Sequence, residues 1–578
     1  MAPKPKFLLF HGTFIDLPLL SPSPSPSTQQ KQKHKHKLRI RHGALWVSSS
    51  TGRIEGCDWG VSSEADLQFL LHRKGWSESS KNGEVEVVRA DEGRNEFFFP
   101  GFIDTHIHAP QYPNSGLFGS STLLDWLERY TFPLESSMSD LTVARKAYSI
   151  VISRTLSNGT TYASYFATIH VDATNLLADL VHERGQRALI GRVCMDNPHF
   201  CPGYYIDESA EHSTAKTKET IEHIHDLDPE GKLVKPIVTP RFVPTCTTTS
   251  LTSLGKLATS YNPPLHIQTH ISENLNEVSL VRDLFPGDDT PTYASVYDKF
   301  NLLTPRMILA HAVHLSVSEQ ELIAERNAKV SHCPASNSAL GSGLAPVRAL
   351  LEKGITVGLG TDVSGGYSPS ILEAARQACL VSRLLRHAKS PESLEEGSTT
   401  IAAPKSSSSS EDGELVEHEK DGKDKKKKDG YEVLSIEESL YLATRGGASV
   451  VDMAQDLGGF EVGMLFDAQL IRLDREVSLE QPGKGSGPVD VFGWESWVEK
   501  VHKWVWTGDD RNVRRVWVGG RVVHELPDYE KREVRGKGLL GFGFGSDVVG
   551  KDLVRLAAGS LGVAALGVVL GRRLGGVR

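Results

Sequence analysis

The 578-residue chain is too long for one compact core, so its length predicts a large domain with a smaller one beside it. Its 39% of hydrophobic and 24% of charged residues are ordinary for a soluble globular protein. A net charge of −8 argues against a nucleic-acid partner. The six cysteines include no Cys-x-x-Cys pair, which argues against a thiolate zinc site and favours reduced thiols in the cytoplasm.

Residues 1–96 contain short strand-like runs separated by turn-forming and charged segments. The runs Phe7–Phe10, Ala44–Ser48 and Val85–Val88 are rich in apolar and β-branched residues, which favour strands. The basic run Lys31–Lys37 has no interleaved aromatic residues, so it indicates a solvated loop rather than a nucleic-acid patch. We predict that residues 1–96 form the N-terminal part of a β domain.

Residues 97–455 alternate short apolar runs with segments of helical length. A predicted strand at Phe97–Ile103 precedes a helix at Leu141–Asn158, and a strand at Thr160–Ser164 precedes a helix at Asp172–Gly185. About eight such repeats indicate an α/β fold, a parallel (β/α)₈ TIM-type barrel. The remaining predicted strands are Ala188–Val193, Lys235–Thr239, Leu265–Thr269, Met307–Ala310, Lys329–His332 and Thr356–Gly360.

The chain changes character after the last predicted barrel strand. Residues 390–430 carry a serine run and a mixed-charge run, which predict a disordered insertion. Residues 456–545 return to strands and form the C-terminal part of the β domain, which we expect to be a small β-sandwich. The tail 546–578 is apolar and basic. Its segment Leu556–Gly571 is short for a bilayer span, so a membrane anchor and a docked or frayed terminal helix both remain open.

Histidines and acids follow several of the predicted barrel strands. His106 and His108 lie two apart after an apolar strand, so both side chains point the same way and can grip one metal ion. His270 ends another strand. Glu273 follows it by about one helical turn, which allows a carboxylate beside a metal-bound water. His266, at the other end of that strand, is predicted to be structural.

Two further strand ends complete the candidate site. His311 ends the strand Met307–Ala310, and Asp362 follows the last, glycine-rich strand. Because a barrel of this type builds its active site at the carboxyl ends of its strands, these groups are expected to meet at one rim. Imidazole and carboxylate ligands suit zinc, with iron as the alternative, and such an ion lowers the pKa of bound water towards about 7.

This set of residues resembles the mononuclear deaminase branch of the amidohydrolase superfamily, whose fold is a barrel flanked by a split β domain. The binuclear branch carries a carbamylated lysine at the fourth strand, where this chain has Arg241 and Phe242. The resemblance therefore implies one metal ion per subunit, held by His106, His108, His270 and Asp362.

Within that branch the chain most resembles the guanine deaminases, from about Phe97 to Val523. The long N-terminal loops, the insertion and the tail depart from the family pattern. The matching motifs are His106-Ile-His108-Ala-Pro-Gln111-Tyr112, Thr239-Pro-Arg241-Phe242, Gly360-Thr-Asp362-Val-Ser-Gly-Gly-Tyr367-Ser, Gly508-Asp-Asp-Arg511-Asn512-Val and Val518-Gly-Gly-Arg521.

The resemblance implies a role for each residue in converting guanine and water to xanthine and ammonia. Asp362 would accept a proton from the water, and Glu273 would carry protons to the ring nitrogen and the leaving amine. His311 would orient the hydroxide and stabilise the charged intermediate. Gln111 and Arg241 would bind the polar edge of the purine while Phe242 packs on its face.

Alternatives remain at this stage. Arg241 could form a surface ion pair, Phe242 could be a core residue, and Gln111 could make an ordinary loop hydrogen bond. A related deaminase of cytosine, adenosine or an s-triazine is the nearest alternative function, and a non-catalytic scaffold is a more distant one. The resemblance also implies a homodimer.

Overall fold

A computed structural model describes residues 5–19, 36–78, 84–117, 121–286, 292–385, 432–477 and 487–527. The predicted insertion at 390–430 and the predicted tail at 546–578, including Leu556–Gly571, lie outside these ranges. Within the described ranges no helix combines the length and the apolar character that a bilayer crossing requires.

Strands and helices alternate along most of the described chain. The strands are β1 Phe7–Asp16, β2 Arg39–Ser48, β3 Ile54–Asp58, β4 Val85–Arg89, β5 Glu96–Pro100, β6 Phe102–His108, β7 Thr160–Phe166, β8 Arg187–Gly191, β9 Val193–Cys194, β10 Val234–Pro240, β11 His266–Ile271, β12 Met307–His311, β13 Lys329–His332, β14 Val357–Leu359, β15 Ala468–Arg472, β16 Val513–Val518 and β17 Arg521–Glu525.

The helices connect these strands, and two π-helical turns, Leu127–Thr131 and Leu442–Gly446, interrupt them. The α-helices are α1 Glu64–Lys74, α2 Leu123–Trp126, α3 Phe132–Ser137, α4 Leu141–Ser157, α5 Val171–Arg184, α6 Ala210–Leu227, α7 Thr248–Thr259, α8 Leu275–Leu284, α9 Tyr293–Lys299, α10 Val317–Glu325, α11 Pro334–Ala339, α12 Val347–Glu352, α13 Ile371–Leu385, α14 Ile436–Tyr441, α15 Gly447–Val450 and α16 Trp497–Thr507.

The two ends of the described chain meet in one eight-stranded sheet. Its order is β17-β16-β15-β5-β1-β2-β3, with β4 paired to β1. The N- and C-terminal segments join where β15 pairs antiparallel with β5. Gly519 and Gly520, both at positive φ, form the predicted turn between β16 and β17. The prediction of a β domain shared by both ends is confirmed, whereas the domain boundaries stay a prediction.

The second sheet is the predicted parallel barrel. Its order is β14-β13-β12-β11-β10-β8-β7-β6, and β9 extends the pairing with β10. The first and last strands meet through two main-chain hydrogen bonds beyond the end of β14. The Asp362 N–H donates to the His106 carbonyl at 2.8 Å, and the His108 N–H donates to the Val363 carbonyl at 3.1 Å. The predicted fold class is therefore confirmed.

The predicted single strand Phe97–Ile103 is wrong in one respect, because the structure divides it between the two sheets. Pro100 has no N–H to donate to a ladder, which favours a strand end. Gly101 donates its N–H to the Asp467 carbonyl at 2.9 Å, and a Cβ there would lie 2.2 Å from the Thr161 side chain. The residues before Gly101 join the terminal sheet as β5, and those after it enter the barrel as β6.

Apolar side chains fill the barrel near the beginnings of its strands. One buried cluster contains Ile103, Tyr162, Leu189, Ile237 and Ile308, which lie in the first half or the middle of five barrel strands. Burial of each such side chain stabilises the fold by about 1.5–3 kcal/mol. The candidate site residues lie at the opposite ends of the strands, beyond this apolar layer.

Candidate active site

Four side chains at the carboxyl ends of barrel strands converge on one point. His106, His108, His270 and Asp362 each offer one ligand atom, and these four atoms lie within 4.8 Å of one another. His106 Nε2 is 3.1 Å and His108 Nε2 is 3.4 Å from Asp362 Oδ1. The Nε2 atoms of His108 and His270 are 3.1 Å apart. Three imidazoles and one carboxylate are thus brought together by segments remote in sequence, which are β6, β11 and the residues that follow β14.

The buried carboxylate of Asp104 holds the two sides of this cluster together. It accepts the Thr361 N–H at 3.0 Å, the Thr361 hydroxyl at 2.5 Å and the His106 N–H at 3.2 Å. Thr361 precedes Asp362, so Asp104 fixes the spacing between β6 and the segment after β14. Burial raises the pKa of Asp104 to about 7.

A hydrogen bond on the side of the ring away from the cluster orients His270. Its Nδ1–H donates to the Arg241 carbonyl at 2.7 Å, which leaves Nε2 to face the cluster. Burial, together with the neighbouring histidines, lowers the pKa values of His108 and His270 well below the usual value. Both imidazoles are therefore neutral, the form that binds metal.

Asp362 and His311 both lie at positive φ, 48° and 75°. This left-handed region is unfavourable for residues other than glycine and is enriched at functional sites. Burial alone would raise the pKa of Asp362, but the imidazoles of His106, His311 and His108 lower it below its usual range. The carboxylate is therefore ionised and able to bind a cation.

The donor set fits a divalent metal ion. Two ligands about 2.1 Å from an ion at a tetrahedral angle lie about 3.4 Å apart, close to the separations found here. His106 Nε2 is buried, and the atom 3.1 Å away from it is Asp362 Oδ1, itself a member of the donor set. A cation between these atoms would satisfy both of them, which supports a metal at this point.

Glu273 lies beside this cluster and not within it. Its Oε1 accepts the Ser342 hydroxyl at 3.0 Å, and its Oε2 lies 3.4 Å from His311 Nε2. Its N–H donates to Glu277, which also caps the start of α8. Burial, aided by the charges of Asp362 and Glu277, raises the pKa of Glu273 to about 7. A carboxyl group with this pKa can both take up and release protons near neutrality.

His311 stands between the two carboxylates. Its Nδ1 lies 2.9 Å from Asn337 Oδ1, while Nε2 is 3.8 Å from Asp362 Oδ2. Burial alone would lower the pKa of His311, but the carboxylates of Glu273 and Asp362 raise it above its usual value. A protonated imidazole at this position can stabilise negative charge that develops beside it.

A cavity with about 400 Å³ of empty space, part of it open to solvent, adjoins the cluster. Gln111, Arg241 and Phe242 line it together with His108, His270, Glu273, His311 and Asp362. The cavity thus brings together the residues predicted to bind substrate and those predicted to bind metal, although their roles stay predictions.

Arg241 does not form the surface ion pair considered from sequence. It is 2% exposed, and its Nη1 and Nη2 donate to the carboxylate of Glu135 at 2.6 and 3.2 Å. Phe242 is also buried and packs its ring edge against His270, with the centroids 6.4 Å apart. It therefore contributes both to the core and to the cavity wall.

Among the residues that the sequence does not predict are Glu135, which binds two of the cavity-lining residues, and Trp126, which lines the cavity. Glu135 is fully buried on α3 and binds both Arg241 and Gln111. Trp126 on α2 lines the cavity, and its buried Nε1–H has no hydrogen-bond partner in the described structure. Neither follows a barrel strand, so the strand-end rule could not find them. The only signal was the helical segment between the first two barrel strands.

Comparisons with known proteins agree with this arrangement. The pattern of the Amidohydrolase family matches residues 97–422. A probable guanine deaminase of Schizosaccharomyces pombe is 47% identical over 74% of this chain and 71% of that protein. Guanine deaminase of Dictyostelium discoideum is 41% identical over 76% of this chain and 86% of that protein. The crystal structure of guanine deaminase from C. acetobutylicum, with guanine bound in its active site, has a TM-score of 0.67 at 29% identity and covers 90% of this chain and 100% of that one.

Proposed function

The chain belongs to the amidohydrolase family and groups there with the guanine deaminases, and from this premise we propose that it hydrolyses guanine to xanthine and ammonia. One observation carries the proposal. The cavity that contains the convergent His108, His270 and Asp362 is also lined by Arg241 and Gln111, which can read the polar edge of a purine.

We propose that His106, His108, His270 and Asp362 hold one zinc ion per subunit, with iron as the alternative. Three neutral imidazoles and one ionised carboxylate are ligands that both metals accept. When bound, such an ion supplies a water of lowered pKa, which makes a nucleophile available near neutral pH.

The purine is oriented by groups on the cavity wall. Arg241 can donate N–H groups to the carbonyl oxygen of guanine, and Gln111 can accept from or donate to the adjoining ring edge. Phe242 packs against the flat base. These contacts would turn the carbon bearing the exocyclic amine towards Glu273 and Asp362, and the surrounding apolar side chains exclude bulk water.

Proton transfer falls to two carboxylates. A C–O bond forms between water oxygen and the amine-bearing carbon, and the C–N bond to that amine then breaks. Asp362 accepts a proton from the attacking water. Glu273 takes up one proton of the attacking water and gives it to the ring nitrogen, and the proton held by Asp362 then passes through Glu273 to the amine, which leaves as ammonia. His311 Nε2 lies 3.4 Å from Glu273 Oε2. From this position His311 orients the attacking oxygen and stabilises the charged tetrahedral intermediate.

Several properties remain part of the proposal. We propose a cytoplasmic homodimer with no nucleic-acid partner. The proposed domains are 1–96 and 456–545 for the β domain, 97–455 for the barrel with its 390–430 insertion, and 546–578 for the tail. Contact of the tail with a membrane is the less favoured alternative to a free or docked terminus.

The decisive experiment incubates the purified protein with guanine and follows loss of the ultraviolet absorbance of guanine together with release of ammonia. Metal analysis is performed on the same sample. Cytosine, adenosine and an s-triazine are assayed in parallel. Turnover of guanine far above that of the other three compounds is expected, whereas a preference for any of them would overturn the substrate assignment.

A further inference from the structure

We propose that Glu135 is a positioning residue that sets substrate specificity, because it fixes the donors of Arg241 and the acceptor of Gln111 for an uncharged 6-oxopurine. The inference deepens the proposed function and rests on it. It concerns a residue that lies on α3, outside every strand end of the barrel.

Four donors converge on the Glu135 carboxylate. Oε1 accepts from Gln111 Nε2 at 2.7 Å and from Arg241 Nη2 at 3.2 Å. Oε2 accepts from Arg241 Nη1 at 2.6 Å and from the Tyr205 hydroxyl at 2.8 Å. The carboxylate is completely buried. A buried ion pair with every acceptor position occupied is geometrically rigid, so the guanidinium has one orientation.

The pairing decides which ligands suit Arg241. A guanidinium carries five N–H groups, and Glu135 engages one on each Nη atom. The remaining N–H groups are available to an acceptor in the cavity that Arg241 lines. Because the Glu135 carboxylate already compensates the positive charge, an anionic ligand gains little there. A neutral carbonyl, which needs donors and no counter-charge, is favoured.

Gln111 is oriented by the same carboxylate. A carboxylate only accepts, so the Gln111 amide must present its NH₂ group to Glu135. Its Oε1 therefore points away from Glu135, where the Ser364 N–H approaches at 3.4 Å. This oxygen retains a lone pair for an N–H of the purine ring. Glu135 thereby presents a donor from Arg241 and an acceptor from Gln111, the pattern that a carbonyl next to a ring N–H requires.

Glu135 also ties together three separate parts of the cavity wall. It belongs to the segment Leu123–Ser137, which contributes Trp126 and Leu127 to the lining. Through Tyr205 it reaches the loop after β9, and through Arg241 it reaches the end of β10. A purely structural role would therefore also predict some loss of stability on substitution, and the test must separate that loss from an effect on specificity.

The test is Glu135→Gln, assayed with guanine and with two non-reacting ligands. Hypoxanthine carries the 6-oxo group, whereas purine lacks it. The new amide points an NH₂ group at donors of Arg241 or Gln111, which misaligns both. We expect the KM for guanine to rise about 10- to 100-fold with a smaller change in kcat. Hypoxanthine should bind about 10-fold more weakly by calorimetry, and purine should bind within about 2-fold of wild type.

The matched control is Glu438→Gln. Glu438 is also buried and forms a bidentate pair with Arg348 at 2.6 and 2.8 Å, but neither residue lines the cavity. This control should lower the melting temperature while keeping the KM and the ratio of hypoxanthine to purine affinity. Tyr205→Phe removes one donor from Glu135 without touching Arg241, so it tests the inference if Glu135→Gln does not fold. It should lower hypoxanthine affinity about 2- to 5-fold and spare purine.

The outcomes distinguish a failure of the role assigned to Glu135 from a failure of the proposed function. Equal weakening of hypoxanthine and purine, or no weakening of either, would overturn the role of Glu135. Failure of the wild type to deaminate guanine would instead overturn the proposed function. In that case a selective loss of hypoxanthine binding in Glu135→Gln would still support the positioning of Arg241 by Glu135.

Discussion

The two ends of the barrel both carry carboxylates and buried histidines, but the contacts of these residues differ. At the carboxyl end, the Nε2 atoms of His106, His108 and His270 face Asp362 and one another across 3.1 to 3.4 Å. At the amino end, His266 Nε2 lies 2.9 Å from Asp452 Oδ2, and Lys329 pairs with the same carboxylate. At the carboxyl end the ring nitrogens face a common point. At the amino end His266 and Lys329 instead bind an acidic partner, Asp452.

Residue type alone therefore does not identify a functional site. His266 and His270 lie on the same strand, yet one is locked in a charge cluster and the other turns its Nε2 towards neighbouring ligands. Ring nitrogens that face a common point at the carboxyl end indicate a place for something bound, whereas paired groups at the amino end indicate stability. The variants below test that distinction.

The largest effect is expected from His108→Ala, which removes a ligand from the carboxyl end. The protein should lose its metal, and kcat/KM for guanine should fall by about 10⁴-fold or more, since free water has a pKa of about 15.7. Metal content and turnover are measured on one preparation. His266→Ala is the control at the opposite end and should retain the metal. Full activity in metal-free His108→Ala would contradict the proposed site.

Glu273→Gln should separate proton transfer from metal binding. The amide keeps the shape of the side chain but cannot carry a proton, so kcat should fall by about 10²- to 10⁴-fold. Metal content should stay at the wild-type level, because Glu273 lies beside the cluster and is not one of its four members. Near-normal turnover by this variant would rule out the assignment of Glu273 as the proton carrier.

A smaller effect is expected from Trp126→Phe. The change keeps an aromatic ring at the cavity but removes the buried Nε1–H, which can donate to an acceptor of the base. The KM for guanine should rise about 3- to 10-fold. Trp504→Phe is the matched control, because Trp504 Nε1 is also buried without a hydrogen-bond partner but packs against Phe97 and Phe102, away from the cavity. A similar KM change in both variants would argue against a substrate contact.

The smallest effect on activity is expected from Asp452→Asn at the amino end. The free energy of unfolding should fall, because the contacts of Asp452 with His266 and Lys329 are weakened. The fall should be only about 1 kcal/mol, because the carboxylate is 36% exposed and water screens its charge. Burial alone would raise the pKa of Asp452, but hydrogen bonds from His266 and Lys329 lower it to about 2. The stabilisation is thus complete above about pH 4 and is lost as the pH falls through about 2. Chemical denaturation should show a larger difference from wild type at pH 7 than at pH 2, while kcat/KM stays within about 2-fold.

Most of the barrel was predictable because buried runs of strand length alternate with segments of helical length. The strand Lys329–His332 was predicted with the bounds that the structure has. The run Phe97–Ile103 was misread, because its apolar residues are buried in two different sheets and periodicity does not reveal a change of sheet. Only Pro100 and Gly101 mark that change.

The rim of the site was predictable for the same reason, since carboxyl ends of parallel strands must meet. Glu135 was not, because its partners lie 24, 70 and 106 positions away and no local pattern encodes such contacts. The same holds for the tautomer of His270, which depends on a carbonyl of a neighbouring strand. Hydrogen bonds between residues that are distant in the chain cannot be predicted from a single sequence.

The closure of the barrel has a consequence for how the protein folds. Asp104 and Thr361 are 257 positions apart in the chain, and the hydrogen bonds between them span the seam where β6 meets the segment after β14. His106 and Asp362 sit on opposite sides of that seam, so the cation pocket does not exist until the last βα unit has docked on the first strand. An ion that grips both sides adds its binding free energy only to the fully closed chain.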